Sequence, residues 1–291
     1  NKIKQNSQYN KRIVKLVLGD CTDKKFLINY FNNLNIDDIY HAAAYKHVGF
    51  GEENPYSIIK NNIIGTKNVL DFAVLKKIKD FIFISSDKAV NPKSMLGYTK
   101  KFGELMINQC HSFYNKKNNI NFTIVRFGNV IGSSGSVIPI FLNQISKKSP
   151  LTVTNKNVER YFMSISEAVQ LVISSSFLNK KGIKIYALDM GEQIKIYDIA
   201  KRVIKLSGNT IKEAKNKKGD ISIKITGLKK GEKISEEISL GEKLKPTTHP
   251  KIMLCEDIIK DQKIDLRFSK IKNMLNSKKI NYNYIKKIIL N

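Results

Sequence analysis

The sequence has few cysteines and no long apolar run. Cys21, Cys110 and Cys255 stand far apart without a CxxC pair, so the sequence predicts neither a disulfide framework nor a metal site, and a reducing compartment is expected. No apolar stretch approaches the ~20 residues that a membrane-spanning helix needs. No charged-then-apolar signal segment opens the chain. These absences predict a chain without a membrane span.

Arginine is also scarce, although the chain is strongly basic. The formal net charge is +26, yet nearly all of the 51 basic residues are lysines, with arginine only at positions 12, 126, 160, 202 and 267. Sites for nucleic acid usually concentrate arginine and aromatic side chains. The charge therefore indicates solvated lysine surfaces and no nucleic-acid partner, with a polyanion partner left as the alternative.

A third missing feature is the glycine-rich GxGxxG turn that holds a dinucleotide pyrophosphate. The remaining pattern alternates buried strands at residues 12–18, 38–44, 81–84 and 122–126 with helices of crossover length. This alternation predicts an α/β fold with a doubly wound, Rossmann-type parallel sheet. Without the turn, we expect a sheet that lacks its first βαβ unit, as in an N-terminally truncated fragment or a split gene product.

The composition of the sequence changes after Arg126, where glycine and serine become frequent and the predicted helices and strands become shorter. We therefore expect a partial dinucleotide-binding domain over residues 1–130. Residues 131–291 are expected to form mainly a smaller α+β substrate-binding domain, with some segments returning to the sheet.

Polar side chains follow the strand at 81–84. Ser85, Ser86, Asp87 and Lys88 come directly after four apolar residues, and a helix expected to begin near Gly97 carries Lys100 in its first turn. Ligands of open α/β sheets bind at the carboxyl ends of the strands. An aspartate beside a lysine supplies a proton donor and a proton acceptor there. A solvated turn uses the same residue types, so the pattern alone leaves both readings open.

A set of motifs in this order resembles the polysaccharide-biosynthesis family of nucleotide-sugar 4,6-dehydratases, which are extended short-chain dehydrogenases/reductases. The motifs are HAAAYKHV (41–48), EENP (52–55), NNIIGT (61–66), SSDKAVNP (85–92), VRFGNVIGSSGSVIP (125–139), ERYFM (159–163), LDMGE (188–192) and GLKKGEK (227–233). The resemblance implies conversion of UDP-N-acetylglucosamine, or a close relative, into a 4-keto-6-deoxy sugar nucleotide for surface glycans. It also implies NAD or NADP as cofactor, a homo-oligomer, and a cytoplasmic location, at the inner membrane if transmembrane segments precede residue 1.

The resemblance assigns catalytic roles to particular residues. Ser86 contacts the C4 oxygen of the sugar, Asp87 protonates the departing C6 hydroxyl, and Lys88 removes the C5 proton. Lys100 hydrogen-bonds the nicotinamide ribose.

Leu96 occupies the position, four residues before Lys100, where most of the superfamily carries tyrosine. This departure counts against a tyrosine-dependent UDP-sugar epimerase, which remains an alternative together with an inactive fragment or scaffold. Tyr98 cannot substitute, because two helical positions turn it about 200° away. The group that accepts the C4 proton stays open among Ser86, Lys100 and a water.

The resemblance also implies binding residues on both sides of the crevice. Those for the cofactor are Asp20, Cys21, His41, Ala42, Ala43, Tyr45, Asn62 and Lys100; those for the substrate are Lys46, Asn129, Ser136, Val137, Arg160 and Glu232. Arg126 and Arg160 suit either bidentate diphosphate recognition or a buried ion pair, with Arg160 the better phosphate candidate. Asn129 could instead cap loop backbone, and Glu232 could instead cap a helix.

Overall fold

The computed structural model describes residues 14–118, 120–179, 181–214, 216–240, 244–256 and 263–290. The strands are β1 (Asp38–His41), β2 (Asp80–Ile84), β3 (Asn121–Arg126), β4 (Asn129–Val130), β5 (Leu151–Val153), β6 (Glu159–Arg160), β7 (Phe162–Met163), β8 (Ile183–Leu188), β9 (Ile194–Lys195), β10 (Ile211–Lys212), β11 (Ile221–Ile225), β12 (Lys245–Pro246) and β13 (Ile252–Cys255). The α-helices are α1 (Lys24–Phe31), α2 (Val48–Glu53), α3 (Pro55–Ile59), α4 (Gly65–Lys76), α5 (Met95–Asn118), α6 (Val137–Ser146), α7 (Ile165–Leu178), α8 (Ile196–Leu206), α9 (Ile264–Asn276) and α10 (Tyr282–Leu290).

A six-stranded sheet in the order β1-β2-β3-β8-β13-β12 forms the centre of the fold. The first four strands run parallel, whereas β13 and β12 pair antiparallel. Strand β2 is apolar on both faces, with Phe81, Ile82 and Phe83 at most 1% exposed, as expected where both faces of a parallel sheet are covered. The predicted α/β fold with a parallel sheet is confirmed.

Local sequence signals start several helices. Ser164 accepts a hydrogen bond from the amide of Glu167, an S-x-x-E pattern that begins α7. Pro55 stands at the first position of α3, where its fixed φ favours helix and its missing N–H is not needed. The long helix predicted after Pro55 is interrupted between α3 and α4 by a π-helical turn, Lys60–Ile64. Within this turn Asn62 is buried.

Two sequence expectations about strands are corrected. Residues 12 and 13 of the expected strand at 12–18 lie outside the described residues, and residues 14–18 are not in a strand. A strand persists only when a neighbour satisfies its backbone groups, and no described strand pairs with this segment; Leu18 is 99% exposed. The strand at 38–44 ends at His41, because the three alanines that follow leave the sheet as a loop.

The helix that carries Lys100 begins earlier than expected. Ser94 Oγ accepts a hydrogen bond from the Gly97 amide, and α5 starts at Met95. Lys100 therefore lies in the second turn of the helix rather than the first. Gly97 itself packs closely on the backbone of Lys88, since a Cβ built there would lie 2.3 Å from the Lys88 carbonyl oxygen.

The second half of the chain contributes to two packed regions. A three-stranded parallel sheet, β10-β11-β5, packs with α6 and α8 around a separate apolar cluster that includes Phe141, Leu151 and Ile204. Strands β8, β13 and β12 join the large sheet, and α9 and α10 pack on its core through residues such as Ile271 and Ile285. A division at residue 130 stays a prediction. In the described part of the chain, no helix has the length and hydropathy to cross a membrane.

Candidate active site

The loops after β2 and β3 are joined by backbone hydrogen bonds at the carboxyl edge of the sheet. The Ser85 amide donates to the Val125 carbonyl at 2.8 Å, and the Asp87 amide donates to the Phe127 carbonyl at 3.2 Å. Asp87 begins a single 3₁₀ turn, Asp87–Ala89, for which Ser86 is the N-cap. This turn, rather than an extended loop, directs the side chains of Asp87 and Lys88.

Four predicted site residues, Ser86, Asp87, Lys88 and Asn129, form a contact group that we name the Asp87 cluster. Asp87 Oδ1 accepts hydrogen bonds from Ser86 Oγ at 2.8 Å and from Lys88 Nζ at 3.0 Å. Lys88 Nζ also donates to Asn129 Oδ1 at 3.4 Å. Asp87 is fully buried, and its second oxygen, Oδ2, has no hydrogen-bond partner among the described residues.

Lys100 extends from α5 to the end of β2, where groups outside the Asp87 cluster hold its amine. Its Nζ donates to the Ile84 carbonyl at 2.6 Å and lies 4.8 Å from the centre of the Phe83 ring. Burial lowers the pKa of Lys100 to about 8, and the negative charge of Glu104 limits the fall. A lysine with this pKa carries a charge that changes close to neutral pH.

Arg126 makes the buried ion pair that was one of its two sequence alternatives. Its Nε and Nη2 donate to the two oxygens of Glu104 at 2.8 and 2.7 Å, and both side chains are 0% exposed. Burial alone would raise the pKa of Glu104, but the Arg126 guanidinium holds that pKa below its ordinary value. Glu104 also accepts a hydrogen bond from Ser85 Oγ at 2.6 Å. The pair thus fixes the strand end that precedes the Asp87 cluster.

The predicted cofactor residues after β1 line a loop that the π-helical turn holds in place. The side-chain amide of Asn62 accepts from the Tyr45 amide at 2.8 Å and donates to the Tyr45 carbonyl at 3.0 Å. Ala42 and Ala43 are exposed. His41 is buried, with its Nε2 2.9 Å from Thr66 Oγ1.

The imidazole of His41 is uncharged at neutral pH. Burial, and then the positive charge of Lys100, lower its pKa to about 3. A ring that stays uncharged and contacts Thr66 and the aromatic rings of β2 packs as part of the core.

Asp20 and Cys21 lie in the turn that precedes α1. Asp20 is exposed, and its Oδ1 accepts a hydrogen bond from the Thr22 amide at 2.7 Å. Asn68 fixes the turn by donating to the carbonyls of Cys21 and Thr22. Burial, and then the charge of Asp20, raise the pKa of the Cys21 thiol, which makes this cysteine a weak nucleophile. Cofactor binding by both residues stays a prediction.

Ser136 stands at the N-cap of α6, and Val137 is the first residue of that helix. Ser136 Oγ is buried without a hydrogen-bond partner among the described residues, and it does not cap its own helix. A buried hydroxyl without a partner is costly, and substrate binding by Ser136 and Val137 stays a prediction. Lys46, which is also predicted on the substrate side, is exposed.

The side chains of Arg160 and Glu232 both form hydrogen bonds to other residues of the chain. Arg160 Nη1 donates to the carbonyls of Glu159 and Ile234, and Nη2 donates to the Lys233 carbonyl at 2.8 Å. Glu232 accepts hydrogen bonds from Thr154 Oγ1 and from the Lys229 amide. Arg160 therefore anchors the segment around residue 233, and diphosphate binding by Arg160 or substrate binding by Glu232 stays a prediction.

Leu96 and Tyr98 are both buried in α5, at 4% and 2% exposed. The Tyr98 ring packs edge-on against Tyr282 of α10, with centroids 6.1 Å apart. Burial, and then the charge of Glu52, raise the pKa of Tyr98. Tyr98 thus belongs to the contact with the C-terminal helix, in agreement with the expectation that it cannot replace a tyrosine at position 96.

Glu236 is a site residue that the sequence motifs missed. It is 4% exposed, and its Oε1 lies 3.7 Å from Lys88 Nζ. It follows the GLKKGEK motif by three residues and forms an acidic pair with Glu237, but the chain has three other such pairs, at 37–38, 52–53 and 256–257. The acidic pair therefore does not single out Glu236 in the sequence.

Comparisons with known proteins agree with this architecture. A family model described as "Polysaccharide biosynthesis protein" matches residues 1–257. The probable polysaccharide biosynthesis protein EpsC of Bacillus subtilis is 42% identical over 265 residues, which cover 90% of this chain and 42% of EpsC. The UDP-N-acetylglucosamine 4,6-dehydratase (inverting) of Campylobacter jejuni is 32% identical over 231 residues, 79% of this chain and 64% of that protein. The chain thus spans less than two thirds of the length of these relatives.

Solved structures share the fold. Pen from Bacillus thuringiensis matches with a TM-score of 0.70 and 36% identity, covering 78% of this chain and 67% of Pen. The UDP-glucose 4-epimerase of Thermus thermophilus, solved in complex with NAD, matches with a TM-score of 0.64 over 80% of each chain. At 17% identity the second likeness shows the fold alone.

Proposed function

The chain belongs to the polysaccharide biosynthesis protein family, and from this premise we propose that it is a nucleotide-sugar 4,6-dehydratase. The proposed substrate is UDP-N-acetylglucosamine or a close relative, and the proposed product is its 4-keto-6-deoxy derivative. The observation that carries the proposal is the fully buried Asp87, which shares one oxygen with Ser86 and Lys88 and leaves the other without a partner among the described residues. The similarity to the Campylobacter jejuni dehydratase supports the reaction class.

The residues at the carboxyl edge fit an NAD(P) cofactor. The exposed methyl side chains of Ala42 and Ala43 allow close approach to the backbone, and Asn62 holds the backbone of Tyr45 at both its amide and its carbonyl. Lys100 presents a buried amine at the end of β2. When bound, the nicotinamide would supply oxidation at sugar C4 and reduction at C6.

The Asp87 cluster offers an acid and a base for the elimination of water. A carbonyl at C4 acidifies the C5–H bond, and the Lys88 amine, when neutral, takes the C5 proton. The electron pair moves into the C4 carbonyl and then expels the C6 oxygen, which leaves as water with a proton from Asp87. Ser86, bonded to Asp87 Oδ1, directs the remaining oxygen, Oδ2, as the proton donor. General acid–base catalysis of this kind contributes roughly 10²–10⁴-fold to a rate.

Product analysis tests the proposal. The protein is incubated in D₂O with NAD or NADP and UDP-N-acetylglucosamine, and the sugar is followed by proton NMR. A dehydratase gives a C6 methyl signal with deuterium at C5, whereas an epimerase gives the C4 epimer with an unchanged C6. An epimer alone, or an unchanged sugar, would refute the proposal.

A pair of lysine variants from one loop assigns the chemistry to the Asp87 cluster. Lys88→Met removes the amine that contacts Asp87, and we expect it to abolish the methyl signal. Lys93→Met changes an exposed lysine of the same loop and should leave product formation at the wild-type rate. Equal loss of product in both variants would contradict a specific role for Lys88.

A further inference from the structure

A carboxylate from the second half of the chain, that of Glu236, lies 3.7 Å from the amine of Lys88. Glu236 is 4% exposed, and its backbone is held by Gln193, whose side-chain amide accepts from the Glu236 amide at 3.3 Å and donates to its carbonyl at 3.0 Å. Two hydrogen bonds to one amide restrict how residue 236 can move. The position of this carboxylate is thus built into the fold and is not a chance contact of a surface side chain.

Three cations surround Glu236, but none is within hydrogen-bond distance of it. Oε1 lies 3.7 Å from Lys88 Nζ and 3.9 Å from Arg160 Nε, and Oε2 lies 3.7 Å from Lys233 Nζ. Lys233 and Arg160 each donate instead to backbone carbonyls. Oε2 has no hydrogen-bond partner among the described residues. A buried carboxyl oxygen without a donor is better satisfied when the group carries a proton.

Burial and the surrounding charges together also favour the protonated form of the Glu236 carboxyl group. Burial raises the pKa of Glu236 above its ordinary value, the charge of Asp87 raises it further, and Lys88, Arg160 and Lys233 oppose the rise. These are the charged groups that face Glu236 from the loop after β2, from β6 and from its own segment. The group therefore exchanges a proton at a pH closer to neutral than an exposed glutamate would.

We propose that Glu236 is a positioning residue that holds the amine of Lys88 in the Asp87 cluster and takes up the proton that Lys88 must release before it acts as a base. This inference rests on the proposed function, in which Lys88 removes the C5 proton. In the proposed function Asp87 enters the elimination already protonated, and in that form it cannot take a further proton from Lys88, although its Oδ1 lies 3.0 Å from Lys88 Nζ. Glu236 is the other carboxyl group within 4 Å of Lys88 Nζ among the described ion pairs.

The proton balance of the step is simple. Lys88 Nζ and Glu236 Oε1 lie 3.7 Å apart in the free protein, so the transfer requires the two side chains to approach each other when substrate binds. One N–H bond of the Lys88 ammonium then breaks and one O–H bond forms on Glu236, which leaves a neutral amine beside a neutral carboxylic acid. The amine then takes the C5 proton and becomes an ammonium again. After water has left, the Lys88 ammonium returns a proton to C5 and the proton on Glu236 passes back to Lys88. Asp87 regains from solvent a proton equivalent to the one that the C4 hydroxyl released, so that no oxidant or further reagent is needed.

Kinetic comparison of three variants tests this role. Glu236→Gln keeps the shape of the side chain but cannot accept a proton, Glu236→Asp keeps a carboxylate one methylene shorter, and Glu237→Gln removes the same charge from the neighbouring exposed residue. We expect Glu236→Gln to lower kcat roughly 10–100-fold with little change in KM, and to lose the rise of kcat with pH that follows ionisation of Glu236. Glu236→Asp should recover part of kcat, and Glu237→Gln should match the wild type.

An infrared titration of the substrate-free protein gives a second, activity-independent measurement. We expect the stretch of a protonated carboxyl to persist above pH 4.5, the ordinary pKa of glutamate, in the wild type and in Glu237→Gln but to be reduced in Glu236→Gln. Lack of product from the wild type would refute the proposed function and this inference with it. Product from the wild type together with an unchanged kcat and pH profile in Glu236→Gln would overturn the inference alone. Should that variant not fold, a wild-type kcat in Glu236→Asp or an absent infrared band would overturn it.

Discussion

The Arg126–Glu104 pair offers a sharp test of how the end of β2 is held. Glu104→Gln leaves the guanidinium of Arg126 fully buried, with one acceptor oxygen in place of two and an NH₂ group facing its donors. Removing one partner of a buried ion pair costs about 3–5 kcal/mol, a large part of the about 5–15 kcal/mol that stabilises a domain. Ser85 loses an ionised acceptor at the same time. We therefore expect urea unfolding of Glu104→Gln to show an unfolding free energy lower by this amount, while the slope of that free energy against urea concentration stays unchanged.

The matched control is Glu53→Gln, which alters an exposed glutamate of α2 and should change the free energy of unfolding by less than about 0.5 kcal/mol. The Glu104 effect also has a defined pH dependence. Because the folded pKa of Glu104 lies below its ordinary value of 4.5, its stabilising contribution is complete above that value and is lost as pH falls through the lowered folded pKa. The difference in unfolding free energy between wild type and Glu104→Gln should therefore narrow as the pH falls through the folded pKa of Glu104. A loss under about 1 kcal/mol at neutral pH would refute the reasoning.

Two further predictions concern the charge of Lys100 and the space beside Asp87. The pKa of Lys100 is about 8 against an ordinary 10.5, so between these pH values the folded state binds fewer protons than the unfolded state. Urea titrations should therefore show the wild type gaining about 3 kcal/mol of unfolding free energy relative to Lys100→Met across that pH range. A difference in unfolding free energy that does not change with pH would contradict the lowered pKa. Gly128→Ala would place a Cβ 2.8 Å from Tyr161 Cβ and 3.0 Å from Asp87 Oδ2, so we expect a fall in kcat of roughly 100-fold. Gly49→Ala, with no heavy atom within 4 Å of the new Cβ, should keep wild-type activity, and equal kcat values for the two variants would contradict the proposed displacement of Asp87.

The parallel sheet could be predicted because its central strands carry continuous apolar runs that few other structures accommodate. The run Phe81–Phe83 is buried on both sides, and the polar residues after it lie at the carboxyl edge where the rule for open sheets places ligands. The contact of Asp87 with Lys88 follows from their adjacency once a tight turn is formed.

Other features depend on contacts that no local pattern encodes. Glu236 meets Lys88 across 148 positions of the chain, through packing of the second half against the first. The π-helical turn that buries Asn62 follows a helical sequence that looks regular. Residues 14–18 have the composition of a strand, but a strand also requires a hydrogen-bonding neighbour, which a sequence pattern does not reveal.

The most direct test of the central claim is the rate of water elimination by Asp87→Asn, measured as appearance of the C6 methyl group of the 4-keto-6-deoxy sugar. The substituted asparagine would keep the size of the side chain but could not protonate the C6 oxygen, so we expect the rate to fall roughly 10²–10⁴-fold. Asp198→Asn, at an exposed position in the first turn of α8, should eliminate water at the wild-type rate. Elimination by Asp87→Asn at a near-normal rate would contradict the assignment of Asp87 as the acid and with it the proposed mechanism.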